Sequence, residues 1–233
     1  MVTFLGKETG RVSALARSAR KNSRRFAGGL GIGMVGQATL RDRPSADLMS
    51  LEGFEAGRDR TEISPDIAKA AHTAYAVELC DRLCPPRQIE TAVFDWLNEF
   101  LLRLHAGVAT AERLRVFELG LLRGLGLGPS LDRCVVCGRE DLGAEDVRWH
   151  AAQGGVLCRR CAKVGDLMTG LTRQTLALLG KSSLADSDSL YLGRDVGANC
   201  RRAMLALLRE HVHGPLRSLD FIDKMGGGMS GSR

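Results

Sequence analysis

Two closely spaced cysteine pairs constrain the fold of this chain more than any other feature. Two residues separate Cys134 from Cys137, two separate Cys158 from Cys161, and 20 residues lie between the pairs. Such a spacing lets a tight turn direct both sulfur atoms at one ion, and two such turns supply the tetrahedral thiolate set typical of Zn²⁺. The pattern predicts one structural Zn²⁺ per chain and disfavours four unmetallated thiols.

The sequence also argues against an enzyme. Four sulfur ligands fill the coordination shell of zinc, so no position remains for an activated water. Residues 31–36 match a dinucleotide-binding motif, but Pro44 leaves no room for the long helix that this motif opens. Residues 180–182 (Gly-Lys-Ser) resemble the end of a phosphate-binding loop, yet they would lie at the C-terminus of a helix over 171–179. No catalytic residues are predicted.

The net charge of +6 is a local property of the N-terminus. Residues 1–30 contain seven Lys or Arg residues and one acidic residue, whereas the charges of residues 31–233 cancel. A concentrated positive charge of this kind predicts a polyanion-binding surface rather than a generally basic protein. The candidate DNA-binding residues are Lys7, Arg11, Arg17, Arg20, Lys21, Arg24 and Arg25.

The segment from Arg17 to Phe26, in particular, has the composition of a nonspecific nucleic-acid contact. Five of its residues are cations, which neutralise phosphates and release counterions. Ser18, Asn22 and Ser23 can donate hydrogen bonds to phosphate oxygens, and Phe26 could stack on a base. The alternative interpretation of the same residues is a solvated charged loop.

Hydropathy patterns divide the chain into a β part and a helical part. Residues 1–56 form short, partly alternating runs, and the runs at 32–40 and 48–54 flank a predicted hairpin loop. Ser64 is the predicted N-cap of the first of several helices. The helical periodicity covers residues 67–83, 89–104, 114–125, 171–179 and 200–212.

Cysteine usage and hydropathy bear on the cellular compartment. The number of cysteines is odd, and no apolar run approaches the roughly 18 residues of a membrane span. Cys80 and Cys84, four residues apart, are predicted to be packed core thiols. These features predict a cytoplasmic protein without a membrane partner.

In their order along the chain, several segments resemble the RecO family of bacterial recombination mediators. The segments are residues 4–20 (FLGKETGRVSALARSAR), residues 117–126 (FELGLLRGLG), residues 129–131 (PSL) leading into the first cysteine pair, and residues 214–219 (GPLRSL). The resemblance implies an α+β protein in which an N-terminal OB-fold β-barrel precedes an α-helical domain with an inserted zinc knuckle. The corresponding domains are 1–57, 58–225 with the zinc-binding segment 134–161, and a flexible tail at 226–233.

The resemblance also implies a function in DNA repair and homologous recombination. It implies binding of single- and double-stranded DNA, annealing of complementary strands, association with RecR, and contact with the C-terminal tail of single-stranded DNA-binding protein. Together these activities would help RecA load at gaps, in the cytoplasm at the nucleoid. For the acidic, apolar tail, a basic rim at Arg113, Arg115 and Arg123 is one interpretation, and a solvated helix face is the other.

One departure from the family affects the expected barrel. Family members usually begin with about fifteen more residues, which form the first barrel strand. We therefore expect four strands here, so that either the start codon is placed too late or the barrel is open with an exposed edge. The alternative function is that of a zinc-ribbon adaptor in transcription or RNA metabolism, with the basic segment binding RNA.

Overall fold

The structure, a computed structural model, describes residues 1–17, 26, 27, 30–42, 48–57 and 66–228. Of the candidate DNA-binding residues, Arg20, Lys21, Arg24 and Arg25 lie outside this part of the chain. Among the described helices, none has both the length and the hydropathy that a membrane span requires.

The described elements are nine strands and six helices. The strands are β1 (Val2–Gly6), β2 (Gly10–Leu15), β3 (Phe26–Ala27), β4 (Gly36–Arg41), β5 (Met49–Ala56), β6 (Ser130–Cys134), β7 (Val147–His150), β8 (Gly155–Leu157) and β9 (Asp166–Met168). The helices are α1 (Ile67–Leu83), α2 (Thr91–Ala106), α3 (Ala111–Gly124), α4 (Gly170–Lys181), α5 (Arg194–His211) and α6 (Arg217–Gly228). They form two compact units, Met1–Val108 with Leu216–Arg233, and Ala109–Pro215.

The first unit contains a five-stranded sheet. β1 pairs antiparallel with β2, β2 pairs parallel with β5, and β4 and β5 form the predicted antiparallel hairpin. Strand β3, only two residues long, also pairs parallel with β5, so the described residues form five strands rather than the expected four. No pairing among them joins β1 to β4, so the sheet is open and the predicted barrel is not confirmed.

Small and aromatic side chains form the core of this sheet. Ala14, Phe26, Leu51 and Phe54 are all buried, and Phe4 packs against Phe54 with ring centroids 6.1 Å apart. Phe26 is only 3% exposed. The prediction that Phe26 stacks on a base is therefore wrong, because its ring fills the core.

Helices α1, α2 and α6 complete the first unit. Helix α1 begins after Asp66, whose carboxylate accepts hydrogen bonds from the backbone N–H groups of Ala68 and Lys69 at 2.8 and 3.2 Å. Asp66, rather than the predicted Ser64, is thus the N-cap. Helix α6 was not predicted from the sequence; it packs against α1 and continues to Gly228, three residues into the predicted tail.

The second unit combines α3, α4 and α5 with a four-stranded sheet. The strand order is β6-β8-β7-β9, in which β6 and β8 are parallel and the other pairs are antiparallel. The sequence predicted the helices but not this sheet, since strands of three to five residues are too short to show a clear alternation. The domain boundaries proposed from the sequence stay predictions.

Candidate metal centre and nucleic-acid surface

The two cysteine pairs meet in the second unit. The four sulfur atoms all lie within 4.8 Å of one another, and Sγ of Cys137 is 3.7 Å from Sγ of Cys158. A tetrahedral zinc site with Zn–S bonds of about 2.3 Å places its sulfurs about 3.8 Å apart. Sulfurs at this separation fit a tetrahedral ion, so the cluster can hold a metal.

The first cysteine turn begins at the end of β6. Cys134 is the last residue of that strand, and its carbonyl accepts a hydrogen bond from the N–H of Gly138 at 2.9 Å. Gly138 has φ of +73°, a left-handed backbone conformation that residues other than glycine rarely adopt. The turn therefore closes tightly enough for Cys137 to face back towards Cys134.

Strand pairing brings the second turn to the first. Cys158 directly follows β8, and the N–H of Val135 donates to the carbonyl of Val156 at 3.0 Å. A Cβ at Gly155 would lie 2.6 Å from the carbonyl oxygen of Ser130, so only glycine allows the strands to approach this closely. The site thus depends on the small sheet as well as on the cysteine spacing.

Backbone N–H groups favour the thiolate form at this centre. Burial raises the pKa of the Cys134 thiol, but hydrogen bonds from backbone N–H groups at Cys137, Cys158 and Val136 outweigh it and bring the pKa to about 6. The pKa of Cys161 is instead raised to about 12, first by its hydrogen bond with Cys137 and then by desolvation. At neutral pH the cluster therefore already contains thiolate, which is the form that binds a metal.

The three remaining cysteines lie apart from this cluster. Cys80, Cys84 and Cys200 are each at most 2% exposed. A hydrogen bond with Cys84, together with burial, raises the pKa of Cys80, and burial raises that of Cys200 to about 11. The prediction that Cys80 and Cys84 are packed core thiols is confirmed.

Two of the predicted DNA-binding residues make ion pairs within the first unit. Lys7 Nζ lies 2.9 Å from Asp95 Oδ1, with both side chains half exposed. Arg11 is more enclosed: its Nε donates to the carbonyl of Cys84 at 2.8 Å, and its guanidinium lies 3.3 Å from Asp81 Oδ1. These contacts tie the β1–β2 hairpin to α1 and α2, which gives both cations a structural role.

The residues that flank the basic segment pair with one strand of the sheet, β5. Arg17 is exposed just beyond β2, in which Leu15 pairs with Ser50 of β5, while Phe26 in β3 pairs with Phe54. Because β4 occupies one edge of β5 at both Ser50 and Phe54, β2 and β3 must both lie along its other edge. The chain therefore leaves that edge before residue 17 and rejoins it at Phe26. The two pairing positions, Ser50 and Phe54, are four residues of β5 apart, or about 13 Å.

Helix α3 does not present the predicted row of three arginines. Arg113 and Arg115 are each 4% exposed, Arg113 forms an ion pair with Asp188, and Arg115 lies 2.8 Å from the buried Glu118. A basic rim at Arg113 and Arg115 is therefore excluded, because both guanidinium groups are used inside the unit. Arg123, the penultimate residue of the helix, is exposed.

A shallow groove of about 230 Å³ lies beside Arg123. Arg123 donates a hydrogen bond to the carbonyl of Gly180, and Lys181 Nζ lies 2.9 Å from Asp132 Oδ2 at the groove edge. The groove thus combines an apolar floor with the cation of Arg123, while Lys181 is paired with Asp132, a carboxylate of the lining. Its lining residues are Leu119, Arg123, Gly128, Pro129, Leu131, Asp132, Ala177 and Gly180.

The two phosphate-binding motifs considered from the sequence do not form such sites. In residues 31–36 the final glycine, Gly36, begins β4, so a strand and not a helix follows. Gly180 and Lys181 are the last residues of α4, with Ser182 as C-cap. Both observations agree with the sequence-based interpretation that neither motif binds a nucleotide.

Comparison with known proteins identifies the family. Residues 64–220 match the family model described as "Recombination protein O C terminal". The chain is 38% identical to the DNA repair protein RecO of Anaeromyxobacter sp. (strain Fw109-5), covering 97% of this chain and 90% of the relative. It is 35% identical to that of Symbiobacterium thermophilum and 31% identical to that of Myxococcus xanthus, covering 97% of this chain and 90% and 91% of the relatives. This chain therefore belongs to the RecO family of DNA repair proteins.

Proposed function

We propose that this chain is a recombination mediator that binds single- and double-stranded DNA through its N-terminal basic segment and anneals complementary strands. It acts without a catalytic step of its own: it neutralises the phosphates of two strands and so lowers the repulsion that keeps them apart. The proposed phosphate contacts are Arg17, Arg20, Lys21, Arg24 and Arg25. Lys7 and Arg11, by contrast, hold the sheet to α1 and α2.

The observation that carries this proposal is the anchoring of the basic segment at both ends. Leu15 and Phe26, which flank residues 16–25 in the sequence, both pair with the same edge of β5, and Phe26 is buried in the core. Five cations lie in the sequence between these two pairing residues. A sheet with a basic groove is the arrangement by which OB-folds hold nucleic acid, and we assign the N-terminal sheet to that fold class.

We further propose that the four-cysteine centre holds one structural Zn²⁺. All four sulfurs are protein ligands, so a bound ion would be closed to water and would brace the second unit rather than act on a substrate. Cys134, Cys137, Cys158 and Cys161 would hold it. The ion would fix the turns that follow β6 and β8.

DNA binding is tested by removing four charges from the basic segment. Substituting Gln for Arg20, Lys21, Arg24 and Arg25 together should weaken binding to a single-stranded oligonucleotide at least tenfold near 0.1 M salt. It should also flatten the slope of log K against log salt by up to about 3 units, because each lost phosphate contact removes about 0.7. Strand annealing, followed with fluorescently labelled complementary strands, should slow in parallel.

The matched control removes four exposed cations near the metal centre. Substituting Gln for Arg133, Arg139, Arg160 and Lys163 makes the same change in net charge and should leave the slope close to that of the wild type. An unchanged slope in the basic-segment variant would remove that segment from the binding surface. Preference for RNA without accelerated annealing would favour the adaptor function instead.

The proposed partners are RecR, the C-terminal tail of single-stranded DNA-binding protein, and, through them, the RecA pathway at the nucleoid. For the tail we propose the groove beside Arg123, because an apolar floor with Arg123 at its edge complements an acidic, apolar peptide. Arg123→Glu should weaken binding of the isolated tail peptide at least fivefold in fluorescence anisotropy. Arg133→Glu, outside the groove, is the control, and wild-type affinity in Arg123→Glu would end this assignment.

A further inference from the structure

Helix α5 in the second unit has an outward face that neither the metal centre nor the groove uses. Its inward face buries Cys200, Ala203, Met204, Leu207 and Leu208. On the outward face, Arg194, Arg202 and Arg209 are all exposed. At 100° per residue these three side chains project within an arc of about 80°, and they are spaced about 10–12 Å apart along the axis.

An exposed aromatic ring lies directly before this row of cations. Tyr191 is 87% exposed, the highest value among the large hydrophobic side chains that the structure describes. Its loop is nevertheless fixed, because the N–H of Leu192 donates to Glu112 Oε1 on α3 at 2.7 Å. The ring is thus presented to solvent from an anchored position, at little entropic cost to a ligand that stacks on it.

The three arginines are available to a ligand. Within the described residues, no carboxylate lies within ion-pair distance of Arg194, Arg202 or Arg209. On the same helix, Asp195 borders the arginine row, about 20° around the axis from Arg202, and Glu210 projects about 80° from Arg202. Before the helix, the carboxylates are occupied, since Asp188 pairs with Arg113 and Asp186 accepts hydrogen bonds from Ser183.

We propose that Tyr191, Arg194, Arg202 and Arg209, which we call the α5 ridge, form a second contact surface for single-stranded DNA. The spacing of the cations corresponds to phosphates about three nucleotides apart in a stacked strand. Tyr191 stacks on an unpaired base, which a duplex does not offer, so the α5 ridge favours single strands. This inference rests on the proposed DNA-binding function and adds a surface in the second unit, separate from the basic segment.

The stacking part of the inference is tested by two substitutions at one position. Stacking of a base on an aromatic ring contributes about 1–3 kcal/mol, so Tyr191→Leu should weaken binding of a dT oligonucleotide about 5- to 150-fold. Binding of a duplex of equal length should change less than twofold. Tyr191→Phe keeps the ring and should bind dT like the wild type. Equal losses for single strand and duplex, or a loss in Tyr191→Phe as large as in Tyr191→Leu, would overturn the stacking role.

The cationic part is tested with the full-length chain and its metal retained. Substituting Gln for Arg194, Arg202 and Arg209 should reduce the salt slope for dT binding by about 2 units, whereas Gln at Arg133, Arg139 and Arg160 should not. Circular dichroism and thermal unfolding establish that each variant is folded. If the wild type binds dT and the ridge variants match it, the α5 ridge is not a contact surface while the proposed function stands. If the wild type does not bind dT, both the α5 ridge and the proposed DNA-binding function are contradicted.

Discussion

The metal centre of the second unit and the basic segment of the first are held by different physical means. At the metal centre, backbone N–H groups, two tight turns and the β6–β8 pairing fix each sulfur to within a few ångströms of the others. At the basic segment, the structure shows the strand pairing of the flanking residues, Leu15 and Phe26, with one edge of β5. A metal requires a defined ligand geometry, whereas a polyanion requires only a sufficient density of charge.

The positively charged residues also differ in whether they make contacts within their own unit. Lys7 and Arg11 belong to the same charge cluster in the sequence as Arg24 and Arg25, yet both make ion pairs with helices of their own unit. On α3, Arg113 and Arg115 are buried while Arg123 is exposed. Charge in the sequence therefore identifies candidates, and burial together with internal ion pairing decides which of them can meet a ligand.

Loss of a metal ligand should have the largest effect. Cys134→Ser should reduce bound zinc below half an equivalent and destabilise the second unit by several kcal/mol, because the binding energy of a structural zinc is also folding energy. Metal analysis of protein purified without chelator, together with thermal unfolding, measures both effects. Cys200→Ala is the control, as this buried thiol lies outside the cluster and its loss should leave the zinc content unchanged. Full zinc content in Cys134→Ser would contradict the four-sulfur site.

Removal of Arg11 should have an intermediate effect, on stability rather than on DNA binding. Arg11→Met removes the hydrogen bond to Cys84 and the ion pair with Asp81 while keeping the apolar stem. We expect a loss of about 1.5–3 kcal/mol in the free energy of unfolding, measured in urea, and less than a twofold change in DNA affinity. Arg24→Gln provides the comparison. Its free energy of unfolding should stay close to that of the wild type, and its DNA affinity should fall more than twofold. A large loss of DNA affinity in a stable Arg11→Met protein would return Arg11 to the DNA-contact set.

The smallest effect concerns the cap that joins α6 to α1. Glu78 Oε1 accepts from the N–H of Arg217 at 3.0 Å, and Oε2 accepts from the N–H of Ser218 at 2.8 Å and from its hydroxyl. Burial raises the pKa of Glu78, but these donors outweigh it, so the pKa lies below the usual 4.5. Stabilisation by the carboxylate is thus fully present above pH 4.5 and is lost as the pH falls through the lowered pKa.

Glu78→Gln should therefore cost about 1 kcal/mol of unfolding free energy at pH 7 and less near pH 3. Urea unfolding at the two pH values measures the difference. Glu99→Gln is the control, because its partner Arg103 lies one turn away on the same helix, at 2.9 Å, and such a pair contributes less than about 0.5 kcal/mol. A cost for Glu78→Gln that is independent of pH would show that the charge of Glu78 is not what caps α6.

The sequence by itself determined the features that depend on short spacing and on composition. Two residues between cysteines suffice to aim both sulfurs at one ion, so the ligand set could be predicted without a fold. The concentration of positive charge before residue 30, the β4–β5 hairpin and the periodic helices were equally local signals. The family resemblance followed from segments that stand in order along the chain.

Only the tertiary structure decided features that depend on contacts distant in sequence. Phe26 ends a basic segment, and nothing local shows that β3 pairs with β5 and places its ring in the core. The exposure of Tyr191 and the burial of Arg113 likewise depend on how α3 packs with the segment around Asp188. Burial is a property of the whole packed unit, so a sequence can propose a contact residue, but only the packing shows whether its side chain reaches solvent.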